Sequence, residues 1–128
     1  MTGPLILPAQ APGAAPAPDA PIPVPSGQEV RLLDVIRDQP GPGGLTYRFR
    51  FVAPAIAQSV DFETAAADME HLCRTYALPR LSQIGPVPAQ VIVSLADRPV
   101  AFGEAAPEVT QFFEAYRIED NDCIWEAF

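Results

Sequence analysis

The chain has 128 residues, and sixteen Asp and Glu residues against eight Arg give it a formal net charge of −8. This acidity argues against nucleic acid as a partner, because phosphates require a basic face, and against binding to an anionic membrane surface. No apolar run approaches the roughly 20 residues that cross a bilayer, so no membrane span is expected.

Residues 1–28 are predicted to be a leader that precedes the folded domain. They hold half of the sixteen prolines, and because proline fixes φ and lacks an N–H donor, the segment should be extended. It is either a flexible tail or the remnant of an export signal, since Ala15-Pro16-Ala17 has small residues at cleavage-site spacing. The lack of a basic residue before the apolar ones argues against a complete signal. Residues 29–128 are then one domain of ordinary size.

The domain is predicted to begin with a strand and a tight turn. Residues 30–37 are rich in β-branched side chains and favour a strand. Ser26 and Glu29 stand at capping-box spacing, however, which leaves a short helix open as the alternative. The Pro- and Gly-rich stretch at 40–44 can only be a turn.

Residues 45–51 give the clearest strand pattern of the chain. Apolar and polar side chains alternate, so Tyr47 and Phe49 are predicted to face the core. Arg48 and Arg50 then project from the other face, toward solvent or an acidic partner.

A helix is predicted from Asp61, a credible N-cap, to about Tyr76. Glu70 and Arg74 stand at the i,i+4 spacing of a helical ion pair. The predicted core face comprises Phe62, Ala65, Ala66, Met69, Leu72, Cys73 and Tyr76. The predicted solvent face comprises Glu63, Asp68, Glu70, His71 and Arg74.

The remaining pattern predicts two strands, a helix and a last strand. Residues 91–95 form a short apolar run that is typical of a buried strand, and residues 100–102 would pair with it in a hairpin. Pro107 is predicted to open a second helix at its favoured first position. The apolar stripe of that helix would be Val109, Phe112, Phe113 and Tyr116. Residues 123–128 read as a terminal strand.

From residue 45 onward, the predicted order of elements is βαββαβ. That order fits an α+β, ferredoxin-like plait, with an antiparallel sheet and two helices on one face. The strand at 30–37 would be an extra N-terminal strand.

The two cysteines, Cys73 and Cys123, are predicted to form a disulfide, as pairs often do in short exported domains. The alternative is two unrelated buried thiols. A regular plait favours that alternative, because it would place Cys73 roughly 18 Å along the helix from the start of the last strand. The disulfide and the plait therefore conflict.

Neither a metal site nor a catalytic group is predicted. His71 is the single histidine, and only Asp68 at i−3 could join it, whereas a structural zinc site requires four ligands. Ser94 could serve as a nucleophile with His71, but no G-x-S-x-G elbow surrounds it. No glycine-rich phosphate loop is present, and no cofactor is expected.

Three residues are candidates for a binding surface. Arg48 and Arg50 project together from one strand, although a solvated strand face would look the same. Trp125 lies in the densest group of aromatic residues in the sequence, which also includes Phe112, Phe113 and Phe128. Core packing explains such a group, and an aromatic binding surface is the alternative.

The chain resembles an uncharacterised family of short, exported bacterial proteins that are sometimes labelled acetolactate synthase. The resemblance is carried by the residues of 48–54, of 68–73 (Asp68-Met69-Glu70-His71-Leu72-Cys73), of 110–116 and of 123–126. It runs from about Val24 to Phe128 and implies an export leader, with both cysteines as part of the family pattern. The enzyme label would require a thiamine diphosphate site in a long multidomain chain, and nothing in this sequence could hold that cofactor.

These observations predict a small, acidic, non-catalytic binding or accessory protein that is periplasmic or secreted, with a cytoplasmic location as the alternative. Its partner would be another envelope protein. A second hypothesis is a small-molecule module that senses amino acids, because such regulatory domains also run βαββαβ. A hydrolase that uses Ser94 or His71 is the weakest of the three.

Overall fold

The computed structural model describes residues 20–41 and 44–127 of the chain, and its central feature is a five-stranded sheet. The strands are β1 (Arg31–Gly41), β2 (Gly44–Val52), β3 (Gln90–Ala96), β4 (Gln111–Glu119) and β5 (Asp122–Glu126). The predicted strands at 30–37, 45–51, 91–95 and 123–128 correspond to β1, β2, β3 and β5. The turn predicted at 40–44 falls partly on residues 42 and 43, which lie outside the described residues.

The strands lie in the order β1-β2-β3-β4-β5, and all neighbours are antiparallel except β2 and β3. A parallel pair requires a crossover connection, which is usually helical. Here the crossover contains a 3₁₀ turn and a longer helical segment, both between β2 and β3. Its parts are the 3₁₀ turn Pro54–Ala57, α1 (Phe62–Leu72), a π turn Cys73–Ala77, a 3₁₀ turn Leu78–Arg80 and α2 (Leu81–Ile84).

The predicted two-helix ferredoxin-like plait is wrong. The sheet is mixed rather than antiparallel, and the residues expected to form a second helix after Pro107 instead form β4. The predicted hairpin of 91–95 with 100–102 is also wrong, because β3 pairs with β4 and residues 97–110 form the loop between them.

The sequence of β4 was predicted to be a helix because its aromatic residues lie on both faces of the strand. Phe112 and Tyr116 are opposite Leu95 and Val91 of β3 and face the helix, while Phe113 is opposite Ser94 on the other face. Glu114 lies between Phe112 and Tyr116 on the helix side and is buried. Since this carboxylate interrupts the apolar alternation, a period of two was hidden in the sequence.

The core lies between the sheet and the helical segment. Side chains of β2 point into it, and the ring of Tyr76 stacks edge-on against Phe49 and Phe51 with centroids 6.4 and 5.6 Å apart. Fully buried residues of the core include Tyr47, Phe49, Phe51, Met69, Leu72, Val91, Val93 and Leu95. The alternation predicted for residues 45–51 is therefore confirmed, with Arg48 and Arg50 on the opposite face.

The N-terminal part of α1 follows the prediction, with two exceptions, of which the first is that Phe62, expected on the core face, is 46% exposed. Asp61 is the N-cap, and its carboxylate accepts a hydrogen bond from the backbone N–H of Thr64 at 2.9 Å. This bond lowers the pKa of Asp61. Asp68 was expected on the solvent face but is fully buried.

Asp68 is buried because residues 20–30 pack over α1. Its carboxylate accepts hydrogen bonds from the backbone N–H of Ser26 at 3.0 Å, from the Ser26 hydroxyl at 2.5 Å and from the Gln28 amide at 2.7 Å. Ile22 and Val24 of the same segment are buried in the core. Of the leader predicted over residues 1–28, residues 1–19 lie outside the described residues.

A disulfide joins Cys73 to Cys123, with the two Cα atoms 6.3 Å apart. The predicted conflict with the plait is thus resolved in favour of the disulfide, because the chain reaches β5 by a different topology. Arg74 reinforces the link between the same two elements. It donates to Asp122 at 2.9 Å and to the carbonyl of Cys123 at 3.0 Å, and it forms the predicted ion pair with Glu70.

None of the helices in the described ranges is long and apolar enough to cross a membrane.

Candidate ligand-binding site

A cavity of about 340 Å³ opens on the face of the sheet that is opposite the helix. Strand side chains form its floor, and the β3–β4 loop (residues 97–110) forms its wall. The floor residues are Arg48, Arg50, Ile92, Ser94, Gln111 and Phe113, and the loop contributes residues 100–105. The register explains this grouping, since Arg50 is beside Ser94 and Ser94 is beside Phe113. We call this feature the sheet cavity.

Arg50 is a buried cation whose charge is already balanced. Its Nη1 atom donates to both carboxylate oxygens of Asp34, at 3.0 and 2.8 Å, because the register places Asp34 directly opposite on β1. Its Nη2 atom donates to the backbone carbonyl of Val100. Arg50 therefore holds the β3–β4 loop over the sheet rather than offering a free charge.

Arg48 lies only two residues from Arg50 on the same strand but has no carboxylate beside it in the sheet. Its neighbours across the sheet are Ile36 and Ile92, neither of which has a side-chain acceptor. Within the described part of the chain, the Nε atom of Arg48 is buried without a hydrogen-bond partner, and its guanidinium forms no ion pair. The sheet cavity thus contains one guanidinium that has neither an ion pair nor a hydrogen-bond acceptor among the described residues.

The β3–β4 loop brings an aromatic ring and a carboxylate to the same cavity. The Phe102 ring lies over both guanidinium groups, with its centroid 5.6 Å from the Arg48 carbon and 5.5 Å from the Arg50 carbon, within cation–π range. Gly103 follows with φ at +82°, a backbone region that favours glycine. Glu104 then lines the cavity and forms no ion pair with any described residue.

The structure does not bring together the serine and histidine that were considered as a hydrolytic pair. Ser94 lies on the floor of the sheet cavity, whereas His71 is on α1, on the other side of the sheet. In the described ranges, no group of three or more His, Cys, Asp or Glu residues is placed to hold a metal ion.

Trp125 and the two arginines lie on opposite faces of the sheet, because Trp125 projects from the helix side. It is opposite Tyr116, is 57% exposed, and donates its indole N–H to Glu114 at 3.0 Å. Burial, followed by the nearby charges of Glu114 and Glu70, raises the pKa of Tyr116. Of the three predicted binding residues, only Arg48 and Arg50 share a cavity.

Sequence reasoning missed the wall of the cavity. Residues 100–102 were assigned to a hairpin strand, and Phe113 to the stripe of a helix. One available signal was the polar Ser94 within an otherwise apolar strand. A second was Gly103 between Pro99 and Pro107, which is typical of a loop.

A comparison with family models matches a family of unknown function (DUF6497) to residues 6–128. Nearly the whole chain is covered, and the chain therefore belongs to this family. No curated protein and no solved structure matches the chain.

Proposed function

We propose that this member of the DUF6497 family is a non-catalytic binding protein, and that the sheet cavity is its site for a small organic anion. The observation that carries the proposal is the guanidinium of Arg48, which lies in a concave, partly apolar cavity and has no ion pair or hydrogen-bond acceptor among the described residues. A carboxylate is the natural complement, since guanidinium donors match it with two parallel hydrogen bonds.

The chemistry of the guanidinium supports a ligand at this position. The Nε atom of Arg48 is enclosed by the protein, so a bound carboxylate would accept hydrogen bonds from the terminal nitrogens of this side chain. Hydrogen bonds between two charged groups are roughly twice as strong as those between neutral groups. Arg50 would not compete for it, because Asp34 already balances its charge.

The shape of the site favours a small molecule over the envelope protein that the sequence suggested as a partner. Ligand sites are concave and mostly apolar with a few polar groups, and about 340 Å³ lies at the small end of their usual size. A stable protein interface instead needs about 800 Å² on each partner. The ligand is therefore expected to have an apolar body and one anionic group.

An extracytoplasmic location fits this function. Structural disulfides persist in oxidising compartments and are rare in the cytosol, and the chain contains the pair Cys73–Cys123. We propose that the protein is exported and binds its ligand in the periplasm or outside the cell.

The proposal is tested by calorimetric titration with 4-methylpentanoate and 3-phenylpropanoate, each compared with its neutral amide. The carboxylates should bind, the amides should bind at least tenfold more weakly, and Arg48→Gln should remove the difference. Arg117→Gln is the matched control, because Arg117 lies on β4 and is not among the cavity residues. Equal binding of acid and amide, or no binding of either, would contradict the proposal.

A further inference from the structure

We infer that the ligand of the sheet cavity is a free amino acid with an apolar side chain, its carboxylate held by Arg48 and its ammonium group by Glu104. This inference rests on the proposed function. It narrows the expected ligand from any small carboxylate to a carboxylate that also carries an ammonium group.

The charges of the cavity carry the argument. Arg50 and Asp34 neutralise each other, which leaves Arg48 and Glu104 as the two charged side chains of the lining that have no ion pair among the described residues. A simple carboxylate would gain from Arg48 but would be repelled by Glu104. A zwitterion has one group for each side chain, and its zero net charge matches the summed charge of Arg48 and Glu104.

The charge of the whole protein points in the same direction. With a formal net charge of −8, the chain repels anions at long range and slows their association. A zwitterion approaches without this penalty and meets opposite charges only inside the cavity.

The rest of the lining indicates an apolar side chain on the amino acid. Ile92 and Phe113 form the apolar part of the floor, and Val100 and Phe102 form the wall opposite them. A branched aliphatic or aromatic side chain would bury against these groups. Each buried CH₂ group is worth a several-fold gain in affinity, at about 0.8 kcal/mol.

The test compares ligands that share one carbon skeleton. Leucine, 4-methylpentanoate and 3-methylbutylamine differ only in whether the ammonium group, the carboxylate or both are present. Calorimetric titration should show leucine binding about tenfold more tightly than 4-methylpentanoate, and 3-methylbutylamine binding more weakly than leucine. Phenylalanine, 3-phenylpropanoate and 2-phenylethylamine form a second set of the same design.

A substitution at Glu104 assigns the preference to that residue. Glu104→Gln should weaken leucine binding about tenfold and leave the affinity for 4-methylpentanoate unchanged or higher, because a repulsive charge is removed. Glu108→Gln is the control, since Glu108 is in the same loop but does not line the cavity. Equal weakening of both ligands by Glu104→Gln would mean that Glu104 only shapes the loop, and would overturn the inference.

The two proposals fail in different ways. If 4-methylpentanoate binds as tightly as leucine and depends on Arg48, the anion site stands and the zwitterion is wrong. If neither leucine nor 4-methylpentanoate binds, the proposed function itself is wrong.

Discussion

Breaking the disulfide between Cys73 and Cys123 is expected to lower the free energy of unfolding by about 4 kcal/mol. The two cysteines are 50 residues apart in sequence. In the chain-entropy model, a closed loop of that length removes about 14 cal/mol/K from the unfolded ensemble, which gives this value at 25 °C. The loss is large for a domain whose total stability is normally about 5–15 kcal/mol.

The assay is guanidinium denaturation of the oxidised protein and of three variants, Cys73→Ala, Cys123→Ala and the double variant. Either single substitution breaks the same bond, so all three variants should lose nearly the same free energy. The denaturant dependence of unfolding should also steepen, because the unfolded chain without the cross-link exposes more surface. Reductant should destabilise the wild-type protein and leave the double variant unaffected.

Two results would refute this reasoning. If the losses of the two single variants add up in the double variant, the cysteines contribute as independent buried thiols. If reduction costs less than about 1 kcal/mol, the loop does not restrict the unfolded chain as the entropy model requires.

Two further predictions concern buried and exposed carboxylates. Asp68→Ala should cost about 3 kcal/mol in chemical denaturation, because the charged hydrogen bonds that hold Ser26 are lost; a loss below about 1 kcal/mol would contradict this role. The pKa of Asp122 lies below its ordinary value of 3.8, chiefly because Arg74 donates to it and then because the backbone N–H of Cys123 does. The folded state therefore gains stability from this group above about pH 4 and loses it as the pH falls through the lowered value, so Asp122→Asn should be destabilised relative to wild type at pH 7, by an amount that shrinks as the pH falls below about 4. A difference that stays constant over this pH range would argue against this linkage.

The features that depend on residues close together in the sequence were predicted correctly. The alternation of residues 45–51 specified which side chains of β2 enter the core, and Asp61 marked the start of α1 through its hydrogen bond to Thr64. Both depend on neighbours within a few residues in the chain.

The sheet topology could not be read in this way, because it depends on long-range pairing. Glu114 faces the helix side and interrupts the apolar alternation by which β4 would have been recognised as a strand. Nothing in the local sequence indicates that β2 and β3 run parallel. Because β4 was predicted to be a helix, residues 91–95 lacked their true pairing strand. Residues 100–102 were therefore wrongly assigned as their partner in a hairpin.

Only part of the candidate site could be predicted, because the rest also depends on long-range pairing. Arg48 and Arg50 follow from the alternation of one strand. Their different roles depend on the register with β1, which puts Asp34 opposite one arginine and Ile36 opposite the other. Glu104 reaches the cavity only through the β3–β4 loop, whose closure over the sheet has no signature in the sequence.

The position of the disulfide has a consequence for proteolysis. The bond between Cys73 and Cys123 closes a covalent ring that contains β3, the β3–β4 loop and β4. A protease that cuts once within residues 97–110, where exposed loop tips are vulnerable, would leave both fragments linked. Such a cut would be invisible on a non-reducing gel and would appear only after reduction, so ligand protection of this wall must be measured on reducing gels.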